Sequence, residues 1–169
     1  LDRIVRDYPD QTEVAGRARV RLASRAGAVT ADRLTHRVAW SAPAEADVHG
    51  KISPDGRYLP FRSWASGGNL FLRDLNAGVD RRMTAHDDKQ GIEYAEGSAF
   101  SRDGQQLAFA WRIRSRDIYQ LRIVSVAGTV DARPRIAFDN DDVKWLAPYD
   151  WTPDGKWIVF TAQMRGFEI

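Results

Sequence analysis

The chain has 169 residues, 43% of them apolar and 28% charged, a balance that suits a globular protein and excludes a disordered one. Its 25 basic and 23 acidic residues leave a formal charge of +2, too small to mark a nucleic-acid partner. It has no cysteine, which excludes disulfides, thiolate catalysis and cysteine-based metal sites. No apolar run approaches the roughly 18 residues of a membrane span, and no signal peptide is visible. The first residue is Leu rather than Met, so the expectation is a processed or truncated piece. Residues 1–37 hold 8 Arg against 5 acids, so the positive excess sits at the N-terminus.

Residues 1–27 read as a helical hairpin. Leu1, Ile4, Val5 and Tyr8 fall at helical spacing, and Pro9-Asp10 breaks the run. Asp10 and Glu13 resemble a capping box. Val14, Ala15, Ala18, Leu22 and Ala23 form one face of the second helix, Arg17, Arg21 and Arg25 the other, and Gly27 ends it. The apolar face is too narrow to stand alone, and no base-reading helix is evident. Residues 28–45 read as a linker, with Arg37 to Trp40 as a candidate outer strand.

From residue 46 the pattern is β, organised by an internal repeat. Ser53-Pro54-Asp55-Gly56-Arg57 precedes Tyr58 to Phe61. Ser101-Arg102-Asp103-Gly104-Gln105 precedes Gln106 to Phe109. Thr152-Pro153-Asp154-Gly155-Lys156 precedes Trp157 to Phe160. The structural turn residues are therefore Pro54, Asp55, Gly56, Asp103, Gly104, Pro153, Asp154 and Gly155. Pro presets the first corner, Asp bonds its own backbone, and Gly accepts a positive φ. The strand after each turn puts Leu59 with Phe61, Leu107 with Phe109, and Ile158 with Phe160 on one face.

The remaining strands expected are Val48–Ser53, Asn69–Leu75, Arg81–Thr84, Gly97–Ser101, Asp117–Val126, Arg133–Phe138 and Pro148–Thr152. Four strands per repeat of about 50 residues is the content of one propeller blade. Pro60 falls inside a strand that should be internal, which calls for a bulge or for a nitrogen aimed at an unpaired side.

These three phased turns resemble the repeat of TolB-like β-propellers, over roughly residues 46–169. Asp7 to Asp10, followed by Ala15, Ala18, Arg19 and Leu22-Ala23, is similar to the end of a tetratricopeptide-type array. The fold class expected is mainly β: a partial propeller of two full four-stranded blades plus part of a third, preceded by the hairpin. Closing a propeller takes at least about 4 blades, so the expectation is a fragment whose open strand edges another chain or further sequence covers.

Chemical motifs are sparse. There is no Gly-x-Ser-x-Gly elbow, phosphate loop or His-Glu-x-x-His. Ser98 reads as the start of a strand. His86-Asp87-Asp88 and Asp139-Asn140-Asp141-Asp142 read as solvated loops, with weak cation binding as the other reading of the second. Arg112, Arg114 and Arg116 read as a hairpin tip balanced by Asp117, or as an anionic partner's surface. The six Trp read mostly as packing between blades. No catalytic residue, metal ligand or cofactor is expected.

The TolB-like resemblance implies a non-catalytic scaffold for protein–protein interaction, periplasmic or secreted, in the bacterial envelope. The loops Ala85–Glu96 and Asp139–Trp145 are its expected contact sites. The alternative is the access-restricting propeller of a prolyl-oligopeptidase-type serine hydrolase, whose catalytic domain would lie outside this chain. A small-ligand or calcium site in the central channel is a third reading.

Overall fold

Three copies of one turn organise the chain in the computed structural model, which describes residues 38–87, 92–128 and 133–166. In each copy the aspartate Oδ1 accepts two hydrogen bonds. One comes from the hydroxyl of Ser53, Ser101 or Thr152. The other comes from the backbone N–H of Arg57, Gln105 or Lys156, at 3.1, 3.0 and 3.2 Å. Gly56, Gly104 and Gly155 close the turns at φ of 73°, 69° and 69°, a region where a side chain would be strained. Each turn ends by pairing the residue before it with the strand after it: Ser53 with Tyr58, Ser101 with Gln106, and Thr152 with Trp157.

Ten strands follow from this frame among the described residues, all within the compact unit Ala39–Ile169. Blade one is β1 (Ala46–Asp47), β2 (Tyr58–Ser63), β3 (Asn69–Asp74) and β4 (Val79–Arg82). Blade two is β5 (Glu93–Phe100), β6 (Gln106–Ile113), β7 (Ile118–Ser125) and β8 (Arg135–Asp139). Blade three is β9 (Val143–Trp151) and β10 (Ile158–Met164). Every pairing is antiparallel between strands consecutive in sequence, which tight turns allow. The helical hairpin expected over 1–27 lies outside the described residues.

Blade two shows how the sheets stack. Strand β6 is buried on both sides, which explains its unbroken apolar run. Leu107, Phe109, Trp111 and Ile113 join Leu70, Leu72 and Met83 of blade one. Ala108 and Ala110 join Val143, Leu146 and Trp151 of blade three. The side chains expected to share a face do so: Ile158 and Phe160 lie against blade two in the same way. Leu59 and Phe61 occupy the equivalent face of blade one, where Trp40 covers Phe61 at a ring distance of 4.9 Å. Residues 38–40 form no strand.

Several boundaries differ from expectation. Residues 48–53 form no strand, and only Gly50 makes a bridge, to Ser98 of blade two. Pro60 gives the reason. Arg57 and Ser63 turn their carbonyls to the β3 side, and Tyr58 turns its carbonyl to Ser53. By period two the nitrogen of Pro60 also faces that inner side, where it has no N–H to donate. Strand β1 therefore pairs only with Arg62 and Ser63. Conversely, β5 and β9 start earlier than expected, so the loop expected at Asp139–Trp145 shrinks to residues 140–142. Ser98 lies well inside β5, just past a bulge, rather than at its start.

Candidate functional site

Residues 49–51 of blade one meet strands β5 and β9 at one open groove, a cavity of about 490 Å³. Its walls are His49, Gly50 and Lys51 from blade one, Glu96 to Ser98 from blade two, and Trp145 to Tyr149 from blade three. The close approach has a local cause. A Cβ on Gly50 would sit 2.4 Å from the Ser98 hydroxyl and 2.8 Å from the Pro60 ring. The Ser98 N–H and hydroxyl both donate to the His49 carbonyl at 3.0 Å. That hydroxyl is buried and committed to a carbonyl, so it is not aimed at the His49 imidazole as a nucleophile would be.

Behind the groove stands Arg62, on the face of β2 turned toward blade two and almost fully buried. Its Nη2 meets Asp47 at 2.6 Å and its Nη1 reaches Glu96 at 3.7 Å and the Ala95 carbonyl at 3.1 Å. Its guanidinium also lies 4.2 Å from the Trp64 ring and 5.0 Å from the Tyr94 ring. A buried arginine demands such a shell, because desolvating a charge is costly unless it is paired. Hydrogen bonds from Arg62 and Trp64 hold the Asp47 carboxyl below the usual carboxylate range. Burial, followed by the charge of Glu96, pushes the Tyr119 phenol up. His49 sits at the rim, its Nε2 3.3 Å from Arg62 and 3.8 Å from Asp47. The groove is thus charge-balanced, rigid and rimmed by aromatic side chains: Trp145 is 38% exposed and Tyr149 50%. That equipment suits binding.

The expected site residues fall elsewhere. The turns of blades one and two lie side by side, with Pro54 near Gly104, around a second polar cavity that also takes in Arg57 and Arg81. Arg102 stands where the other two copies have Pro. Its side chain reaches across to blade three, to Asp150 at 3.0 Å and to the Trp151 carbonyl at 3.3 Å. The substitution exchanges a stiffened turn for a tie between blades.

Two of the three arginines at the β6–β7 tip are paired within the chain, Arg112 with Asp117 and Arg116 with Asp141, while Arg114 lies 5.3 Å from the Tyr94 ring. Arg165, after β10, also meets Asp117 at 3.2 Å. Asp139 accepts from Gln120, and the Asn140 side chain accepts from the Asp142 N–H. No group of three metal-ligating side chains occurs among the described residues. No helix among them is long and apolar enough to cross a membrane. Of the tryptophans expected to pack between blades, Trp111 and Trp151 are buried there and the partly exposed Trp64 lies 5.2 Å from the Tyr94 ring of blade two, whereas Trp145 and Trp157 are exposed.

No family model and no curated protein matches the chain. Solved structures do. TolB from Acinetobacter baumannii superposes with a TM-score of 0.57 over 80% of this chain at 18% identity. A putative TolB from Agrobacterium tumefaciens gives 0.57 over 75% at 22% identity. The chain has the fold of a TolB-like β-propeller. An oligogalacturonate lyase from Vibrio parahaemolyticus gives 0.50 over 67% at 16% identity. The chain spans 31%, 42% and 32% of those three chains, well under half of each. Its sheets are thus part of such a propeller fold.

Proposed function

We propose that the chain is a non-catalytic propeller scaffold that binds a protein partner in the periplasm of a bacterial envelope. One observation carries the reading. The groove presents half-exposed aromatics, Trp145 and Tyr149 on β9, beside His49, Lys51 and Glu96 from the two neighbouring blades. Exposed Trp and Tyr on a rigid frame are the usual anchors of protein interfaces. The one hydroxyl in the groove wall among the described residues, apart from the Tyr149 phenol, is spent on a backbone carbonyl. The likeness in fold to TolB supports a periplasmic setting, and the resemblance of the three turns points the same way.

The test is site-specific photocrosslinking in the native cell. A benzophenone side chain at Trp145 or Tyr149 is expected to capture one discrete protein in the periplasmic fraction. The same group at Arg73, on the outer part of blade one, is expected to capture none. Absence of any adduct at the groove positions, or equal adducts at all three, overturns the proposal.

A further inference from the structure

A sheet face that packs on another sheet is expected to be apolar. Strand β7 breaks this rule. Ile118 and Val124 point toward blade one and join its core. Between them, on the same face, stand Gln120, opposite Trp111, and Arg122, opposite Phe109. Gln120 is buried and Arg122 half-buried.

Arg122 has an unusual partner for a half-buried cation. Its Nε and Nη2 both donate to Oε1 of Gln120, at 2.9 and 2.6 Å, a neutral acceptor. Its guanidinium lies 4.7 Å from the Trp111 ring. The two carboxylates nearby have other partners. Glu93 accepts from Trp111 Nε1 at 2.8 Å and lies 4.0 Å from Nδ1 of His86, and Asp139 accepts from Gln120 Nε2 at 2.8 Å. Both act on Arg122 through space, and neither forms an ion pair with it among the described residues. Burial pushes the Arg122 guanidinium down from its ordinary pKa, against the pull of those two acids. Even a partly desolvated cation without a contacting counter-charge is costly to the fold.

A cavity of about 510 Å³ opens beside this cation, between the loop after β4 and the outer strands of blade two. Thr84 and His86 form one wall, Arg122 and Trp111 the floor, and Arg133 and Ile136 the other wall. Among the described residues its lining holds two arginines and no carboxylate. The first wall is rigid. Asn69, fully buried, accepts from the Thr84 hydroxyl at 2.7 Å and from the His86 N–H at 2.8 Å. Arg82 braces the same loop through the carbonyls of Thr84 and His86.

We propose that this cleft binds a small oxyanion, with Arg122 and Arg133 supplying the opposing charge. The volume is ample for a monosaccharide-sized molecule, and Pro134 and Ile136 offer it an apolar flank. An organic carboxylate therefore fits better than a bare phosphate, although both share the chemistry that arginine recognises.

The experiment is an NMR titration of the whole chain, following the Trp111 indole N–H, which lies against Arg122 and is assigned from Trp111→Phe. Glucuronate, inorganic phosphate and neutral glucose are compared at constant ionic strength. A saturable shift with glucuronate, absent with glucose, is expected. Saturation by phosphate alone would assign the cleft to a bare phosphate and retain the oxyanion reading. Arg122→Gln is expected to weaken binding by about tenfold or more, as loss of a charge-assisted contact does. Arg133→Ala is expected to weaken it severalfold, and Arg116→Ala, far from the cleft, not at all. If Arg122→Gln loses its spectral dispersion, Arg133→Ala decides. Unsaturable shifts with both anions, an equal response to glucose, or undiminished binding by the cleft variants would overturn the proposal.

Discussion

Gly68→Ala is expected to be among the most damaging glycine substitutions in the protein, and the structure says by how much. Gly68 follows the 3-10 turn Trp64–Ser66 and has a φ of 80°, so any side chain there is strained. The left-handed conformation costs a non-glycine residue about 1–2 kcal/mol. A Cβ would also stand 2.4 Å from the Tyr94 Cβ and 3.2 Å from the Tyr94 Cα, where ordinary contact begins at 3.4 Å. Tyr94 is on β5, so relief requires blade two to back away from blade one by about 1 Å, an overpacking strain of about 1–3 kcal/mol. The same retreat would stretch the 2.9 Å bond from the Ala95 N–H to the Gly68 carbonyl, at about 1 kcal/mol. The total is about 3–6 kcal/mol. Gly56→Ala isolates the first contribution, because its φ is 73° but nothing lies within 4 Å of a Cβ there. It should cost only about 1–2 kcal/mol. Urea unfolding followed by tryptophan fluorescence measures both. A difference between the two variants below about 0.5 kcal/mol would refute close docking of blade one on blade two at this point.

Acid should erode stability in a defined window. Asp47, Asp55, Asp74, Asp103, Asp117 and Asp154 are all held below 3.8 by hydrogen bonds. The folded state then binds fewer protons than the unfolded one. Their stabilisation is complete above 3.8 and is lost as pH falls through the folded values. Urea midpoints should fall steeply below about pH 4, and changing Asp55, Asp103 and Asp154 together to Asn should flatten that limb. Asn69→Ala removes the acceptor of the buried Thr84 hydroxyl and of the half-buried His86 N–H, and should cost about 2–4 kcal/mol in the same unfolding assay. Pro60→Val should cost less than about 1.5 kcal/mol, because its nitrogen faces no paired carbonyl; a larger loss would refute that placement.

The turns and the alternation were readable from the chain because their physics is local. A carboxylate that bonds its own backbone, and a glycine that turns with positive φ, act within five residues. Alternation along β6 then settles which side chains face which way, whatever the neighbour is. The shortness of the first strand of blade one was half legible: Pro60 announced a lost donor, but only the register showed that the loss falls on the β1 side. The departure at Arg102 was visible as a mismatch, and its meaning needed Asp150, 48 residues away. The groove and the oxyanion cleft were not legible. His49, Glu96 and Trp145 come from three blades, and Arg62 and Arg122 look in sequence like ordinary polar residues in strands. What makes them a site is burial and the choice of partner, and these are decided when sheets stack face to face.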